Sequence, residues 1–139
     1  MCRHIRDPVR VGRYVVLLSG LYFEFKPPHP GFAIFLDANW GSLPVPYRHI
    51  MVAWQDGGVL SLPDITKLVK LTRARMEATT VEIACCGGHG RTGTLLACLI
   101  ADIENVDGDT AIVLARQRYC KHGIETEAQE ELVRRFRPP

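Results

Sequence analysis

The sequence is poor in the features that mark membrane, secreted and polyanion-binding chains. Its N-terminal apolar stretch, residues 14–18, breaks at Ser19-Gly20, resumes over Leu21, Tyr22 and Phe23, and stops at Glu24. That falls well short of the ~20 apolar residues a membrane helix needs. The stretch follows a charged start (Arg3, Arg6, Asp7, Arg10, Arg13) and lacks a small-residue cleavage site, so it does not read as a secretory signal. Net charge is only +2, from 17 Lys and Arg against 15 Asp and Glu, too little to argue for a nucleic-acid or membrane partner. Lysine is scarce. Thirteen of the 17 basic residues are arginine, which suits oxyanion contacts where several converge. The five cysteines, Cys2, Cys85, Cys86, Cys98 and Cys120, are odd in number and include one vicinal pair, unlike the paired framework of a small secreted protein. Internal repeats and low-complexity tracts are also missing. These absences lead to the expectation of a soluble, cytoplasmic protein.

What is present is an ordinary globular composition, 47% hydrophobic and 23% charged over 139 residues, enough for one domain spanning residues 1–139. Apolar stretches on either side of Ser19-Gly20 predict two short strands and a turn over residues 13–25. The prolines and glycine of residues 26–31 make a loop, and Gly41, Pro44 and Pro46 make another over 39–48. Residues 32–36, 50–54 and 81–84 read as buried strands. Helices are predicted from Ser61 or Asp64 to about Glu77, over 92–104, over 107–119, and from Thr126 through Phe136, each with an apolar face. Strands alternating with helices point to an α/β fold, a three-layer sandwich with a central, mostly parallel sheet flanked by helices.

The most informative string is CCGGHGRTGT, residues 85–94, between the strand at 81–84 and the helix that follows. Ligands of such sheets bind at the carboxyl ends of strands. Three closely spaced glycines there let successive backbone N–H groups turn into one concave nest, which at a helix N-terminus binds tetrahedral oxyanions. Arg91 lies six residues after Cys85, so a tight loop brings its guanidinium over the nest for a bidentate grip on phosphate. The same positive field favours a thiolate at Cys85. A thiolate beneath a bound phosphate is a nucleophile aimed at phosphorus.

Residues 85–93, Cys-Cys-Gly-Gly-His-Gly-Arg-Thr-Gly, resemble the phosphate-binding loop of the cysteine-dependent protein tyrosine and dual-specificity phosphatases. It is not the ATP-binding loop, because no Gly-Lys-Ser/Thr follows. Trp54-Gln55-Asp56-Gly57-Gly58 resembles the family's mobile acid loop, and Gly123-Ile124-Glu125-Thr126-Glu127-Ala128-Gln129 resembles its Ile-Glu-Thr-x-x-Gln segment. The likeness runs from about residue 48 to 136. It implies a phosphotyrosine-phosphatase-like fold and hydrolysis of phosphomonoesters through a phosphocysteine, with no cofactor and no metal. It implies Cys85 as nucleophile, with Arg91 and the backbone of Cys86, Gly87, Gly88, His89 and Gly90 holding the phosphate. Thr92 would steady the departing thiolate, Asp56 would serve as general acid and then base, and Gln129 or Glu125 would position water.

The short spacing from acid loop to cysteine resembles the small dual-specificity type. It implies a phosphorylated protein as substrate, phosphotyrosine first, with phosphoserine and phosphothreonine admitted by a shallow site. A phosphoinositide or an RNA 5′-phosphate on the same fold, or a catalytically silent phosphate-binding module, stay open as alternatives. Two positions depart from the family pattern. Ala84 stands where histidine usually precedes the nucleophile, and Gln55 replaces proline in the acid loop; neither removes a reacting group.

Blander readings exist for each residue. Cys85 could be an inert core cysteine, but that leaves Arg91, Thr92 and the glycines unexplained. A metal held by Cys85, Cys86 and His89 would lack a fourth ligand. His89 is expected at the rim, adding positive charge near the mouth. Cys86 is a loop filler or a trap for oxidised Cys85, Cys98 is core, and Cys120 is core or a redox partner. Asp37, at a strand end, and Asp64 rival Asp56. Arg116, Arg118, Arg134, Arg135 and Arg137 read as solvated helix faces.

Overall fold

The computed structural model of the chain describes residues 2–20, 25, 27–37 and 44–138. Five strands and four helices follow one another as β1 (Asp7–Val11), β2 (Tyr14–Gly20), β3 (Phe32–Leu36), β4 (His49–Val52), α1 (Leu62–Ala78), β5 (Val81–Cys85), α2 (Gly90–Glu104), α3 (Gly108–Arg118) and α4 (Glu127–Arg135). One sheet holds all five strands in the order β1-β2-β5-β3-β4. Strands β2, β5, β3 and β4 run parallel, and β1 alone is antiparallel to its neighbour. The α/β sandwich with a mostly parallel sheet therefore stands as expected.

The strand β1 was not expected. Its alternation is carried by only two apolar residues, Val9 and Val11, among charged ones, a signal easily read as an irregular charged start. Glycine at the first turn position, Gly12 with φ +58°, lets β1 fold back onto β2 through a two-residue turn. Pro8 is tolerated because β1 is an edge strand. The second short strand expected beyond Ser19-Gly20 falls mostly on residues 21–24, outside the described residues.

Strand β5 lies at the centre and is buried along its whole length. Val81, Ile83 and Cys85 join the main core with Val16, Leu18, Ile34 and Leu36, and the buried apolar residues of all four helices complete that cluster. On the opposite face Ala33, Phe35 and Ala84 are covered by Phe25, Val45, Tyr47 and Met51. Among the described residues that third layer is built from irregular segments rather than a helix. Its centre is the fully buried Glu82, which accepts from Ser19 Oγ at 2.9 Å, Tyr47 Oη at 3.0 Å and Arg6 Nε at 3.1 Å. A carboxylate inside a sheet is tolerated when its lone pairs are filled in this way.

The helix ends were largely legible. Ser61 caps α1 by accepting from Asp64 N, Asp107 caps α3 by accepting from Thr110 N, and Thr126 caps α4 by accepting from Gln129 N. The start of α2 has no side-chain cap. Four residues separate this uncapped start from the end of β5, and an uncapped helix start leaves N–H groups available to an anion.

Candidate active site

Strand β5 ends at Cys85, the chain turns through 86–89, and α2 starts at Gly90. The turn is pressed onto the end of β2. A Cβ on Gly88, whose φ is +74°, would come within 2.8 Å of Gly20 N, so a side chain there meets both strain and backbone. Tyr119 Oη, from just past α3, donates to Gly88 O on the other side. The carbonyl of His89 accepts from Gly93 N at 2.8 Å and Ile124 N at 3.3 Å. Gly93 also lets the 123–124 segment lie against α2, since a Cβ there would sit 2.8 Å from Ile124 N.

Cys85 is buried, and Thr92 Oγ1 donates to its Sγ at 3.0 Å. Arg91 is also buried, at 2% exposure. Its Nη1 donates to Trp54 O at 2.8 Å and lies 3.2 Å from Asp37 Oδ2, while its Nη2 lies 3.5 Å from Asp56 Oδ1. Arg91 Nε is buried and makes no hydrogen bond. The guanidinium thus ties together the phosphate-loop candidate, the end of β3 and the acid-loop candidate.

The two aspartates differ sharply. Asp37 is 9% exposed at the side chain, and Asp56 is 82% exposed. Asp37 is suited to hold Arg91 in place, and Asp56 to meet a group arriving from solvent. Asp64 is spent in the first turn of α1.

The 54–58 turn is anchored to α4. Gly58 O accepts from Trp54 Nε1 at 2.7 Å and from Gln129 Nε2 at 3.2 Å, and Gly57 O accepts from Thr126 Oγ1 at 3.4 Å. Gln129 Oε1 accepts from Glu125 N at 2.8 Å. Both ends of the Gln129 amide are therefore engaged with backbone. The Glu125 carboxylate lies beside Gly90, where an added Cβ would come within 2.4 Å of Glu125 Oε1.

Residues 36–133 match the family described as Swiss Army Knife protein, DSP-PTPase phosphatase domain. The chain belongs to this phosphatase family. The phosphatase is 34% identical over 140 residues to an uncharacterized protein of Methanocaldococcus jannaschii, covering 95% of this chain and 86% of that protein. Its fold resembles the crystal structure of Tk-PTP in the active form, with a TM-score of 0.75 at 18% identity over 94% of this chain and 92% of that one. It also resembles PTPMT1 solved in complex with PI(5)P, with a TM-score of 0.72 at 16% identity over 92% and 93%.

Several side chains of the phosphatase differ from the sequence expectation. His89 does not stand at a rim. Its ring is largely buried, 3.1 Å from Cys2 Sγ and edge-on to His4 with ring centroids 4.8 Å apart. Burial, with His4 next in effect, holds its pKa below the usual histidine value, so the added positive charge expected there is absent near neutral pH. Cys86 is exposed and Cys98 is deep in the core, where burial pushes its thiol up. Arg116 is not a free surface charge. It donates to Gly123 O at 3.0 Å, Ile124 O at 2.9 Å and Glu130 Oε2 at 3.2 Å, fastening the segment that rests on Gly93. Arg118 pairs with Glu104, and Arg134 with Asp109. Tyr119 carried no signal in the sequence, because its contact to Gly88 spans 31 positions. Asp37 carried a weak one, an acid at the end of a strand.

Among the described residues no helix is long and apolar enough to cross a membrane.

Proposed function

We propose that this phosphatase hydrolyses phosphomonoesters through a phosphocysteine at Cys85, with phosphotyrosine in proteins as the preferred substrate and phosphoserine and phosphothreonine also accepted. The observation that carries the reading is the pairing of a thiol at the end of β5 with Thr92 Oγ1 at 3.0 Å and a fully buried, pre-anchored Arg91. Preorganised donors of this kind stabilise charge that develops in a transition state without reorganising during it.

In the first step Cys85 Sγ attacks phosphorus, and the P–S bond forms as the ester P–O bond breaks. The Nε and Nη2 edge of Arg91 and the amides of 86–91 bind the equatorial oxygens. Asp56 protonates the leaving oxygen. In the second step water attacks phosphorus, Asp56 takes the proton, and the thiolate departs with the Thr92 hydroxyl donating to it. Gln129 positions the acid loop through Gly58, and the Glu125 carboxylate beside Gly90 helps orient the water. No metal or cofactor takes part in these steps.

The test is phosphate release from phosphotyrosine, phosphoserine and phosphothreonine peptides and from phosphatidylinositol phosphates, with reductant and no added metal. The expected order puts phosphotyrosine highest, because phenolate is the better leaving group. Preference for the lipids would move the assignment toward a phosphoinositide substrate. Binding without release from any of them would point to a phosphate-binding module.

Asp56→Asn is expected to lower kcat on phosphotyrosine peptide by about 10²–10⁴-fold, the usual range for a lost general acid. The loss should shrink for aryl esters whose leaving groups need no proton. An undiminished rate would transfer the role to another acid, Asp37 first.

A further inference from the structure

Four side chains outside the proposed reaction converge behind the phosphate loop. Cys2 and His4 come from the segment before β1, His89 from the loop itself, and Cys120 from just past α3. One ligand atom from each lies within 4.8 Å of all the others. We infer that Cys2, His4, His89 and Cys120 form a structural zinc site that fastens the N-terminal segment to the back of the phosphate loop.

The donor set is the two-thiolate, two-imidazole combination of tetrahedral structural zinc. With Zn–S of ~2.3 Å and Zn–N of ~2.0–2.1 Å, the edges of such a tetrahedron are about 3.3–3.8 Å. Cys2 Sγ lies 3.3 Å from Cys120 Sγ and 3.1 Å from His89 Nε2, shorter than the matching edges, and all four ligand atoms lie within 4.8 Å of one another. Admitting the ion requires the two Cys2 pairs to open by about 0.5 Å.

A second observation points to a ligand independently. His4 Nδ1 is engaged by Asp7 Oδ2 at 2.7 Å, and His4 Nε2 is buried with no hydrogen-bond partner in a side chain only 5% exposed. A buried ring nitrogen without a partner is costly. The carboxylate on Nδ1 holds the tautomer whose Nε2 lone pair is available, an arrangement common behind zinc-bound histidines. A disulfide between Cys2 and Cys120, both free thiols here, would leave that nitrogen unexplained and give His89 no role.

Binding expels the two thiol protons, so Zn²⁺ with two thiolates and two neutral imidazoles carries no net charge, as suits a mostly buried position. Four protein ligands close the coordination shell, so the ion binds no substrate and activates no water. Its effect is mechanical. His89 is the residue before α2, has no side-chain cap, and its carbonyl holds Gly93 N and Ile124 N.

The full chain, reduced and stripped by a chelator, should be titrated with Co²⁺ and then Zn²⁺. The expected result is one Co²⁺ per chain, with a thiolate-to-cobalt charge-transfer band and tetrahedral ligand-field absorption, both bleached by one equivalent of Zn²⁺. Cys2→Ser and Cys120→Ser should each abolish or sharply weaken the charge-transfer band, and Cys85→Ser should leave it intact. Cys2 is exposed and outside every strand and helix, so its variant reads ligation without unfolding the chain. No thiolate band in the folded, reduced wild type would overturn the site. A band that survives Cys2→Ser and Cys120→Ser, or that disappears with Cys85→Ser, would do the same. The readout needs no turnover, so it stands apart from the test of the phosphatase reaction.

Discussion

Cys85→Ser is expected to reduce hydrolysis of p-nitrophenyl phosphate by at least ~10⁴-fold, the scale seen when a nucleophile is removed. Serine keeps the position at the end of β5 and nearly the volume of a side chain that is 2% exposed, so the fold should be retained. What it loses is the reactive form. A thiolate is a strong nucleophile in its own right, and a serine hydroxyl needs a base to become one. The hydrogen bond to Sγ comes from Thr92, which donates and so cannot take a serine proton. The phosphate-binding parts stay intact, so the variant should still bind phosphotyrosine peptide with an affinity close to the wild-type KM. Steady-state kinetics and equilibrium binding on the same preparation check both halves. Turnover close to wild type would remove Cys85 as nucleophile and direct attention to the exposed Cys86.

The second large effect is expected at Arg91. Arg91→Lys should lower kcat/KM by about 10³-fold, the lower part of the range for losing an arginine that stabilises a transferring phosphoryl group. Lysine conserves the charge and loses the fork. In the structure the fork is already used, with Nη1 on Trp54 O and Asp37 and Nη2 toward Asp56, while the buried Nε remains a donor for an oxyanion. One ammonium cannot hold the 54–58 turn, balance Asp37 and grip two phosphate oxygens together. Inhibition by inorganic phosphate or vanadate should weaken in parallel, because those anions use the same donors. Arg91→Ala should in addition lower the melting temperature, since truncating one partner of a buried charge pair costs on the order of 3–5 kcal/mol. Arg91→Lys within tenfold of wild type would mean that the guanidinium serves the fold and not the reaction.

These expectations draw unequally on sequence and structure. The order of elements from β3 onward was legible because its signals are local. Capping residues, prolines, and apolar periodicity at 61–78, 90–104 and 108–135 act over a few residues each, and the helices fall within two residues of where those signals put them. Strand β1 escaped because two valines on an edge make little periodicity, and its pairing with β2 is what defines it. The phosphate-loop residues were legible for a different reason. Arg91 and Thr92 follow Cys85 by only 6 and 7 positions, so one tight turn joins them whatever the rest of the chain does.

Where the chemistry depends on distant parts of the chain, tertiary structure decided. Sequence alone determined that a strand-to-helix turn presents a thiol, an arginine and a run of amides to one point, because short-range geometry leaves a glycine-rich turn of that length few alternatives. It could not decide that Asp37 lies buried against Arg91 while Asp56 remains exposed, since that rests on β3 being placed beside β5 in the sheet order. Nor could it place His89 among Cys2, His4 and Cys120, separated by 87, 85 and 31 positions. That grouping exists because β1 and β2 fold back along the edge of β5 and α3 ends behind the same loop. Contacts of that range are set by how layers pack, which no window of the sequence contains.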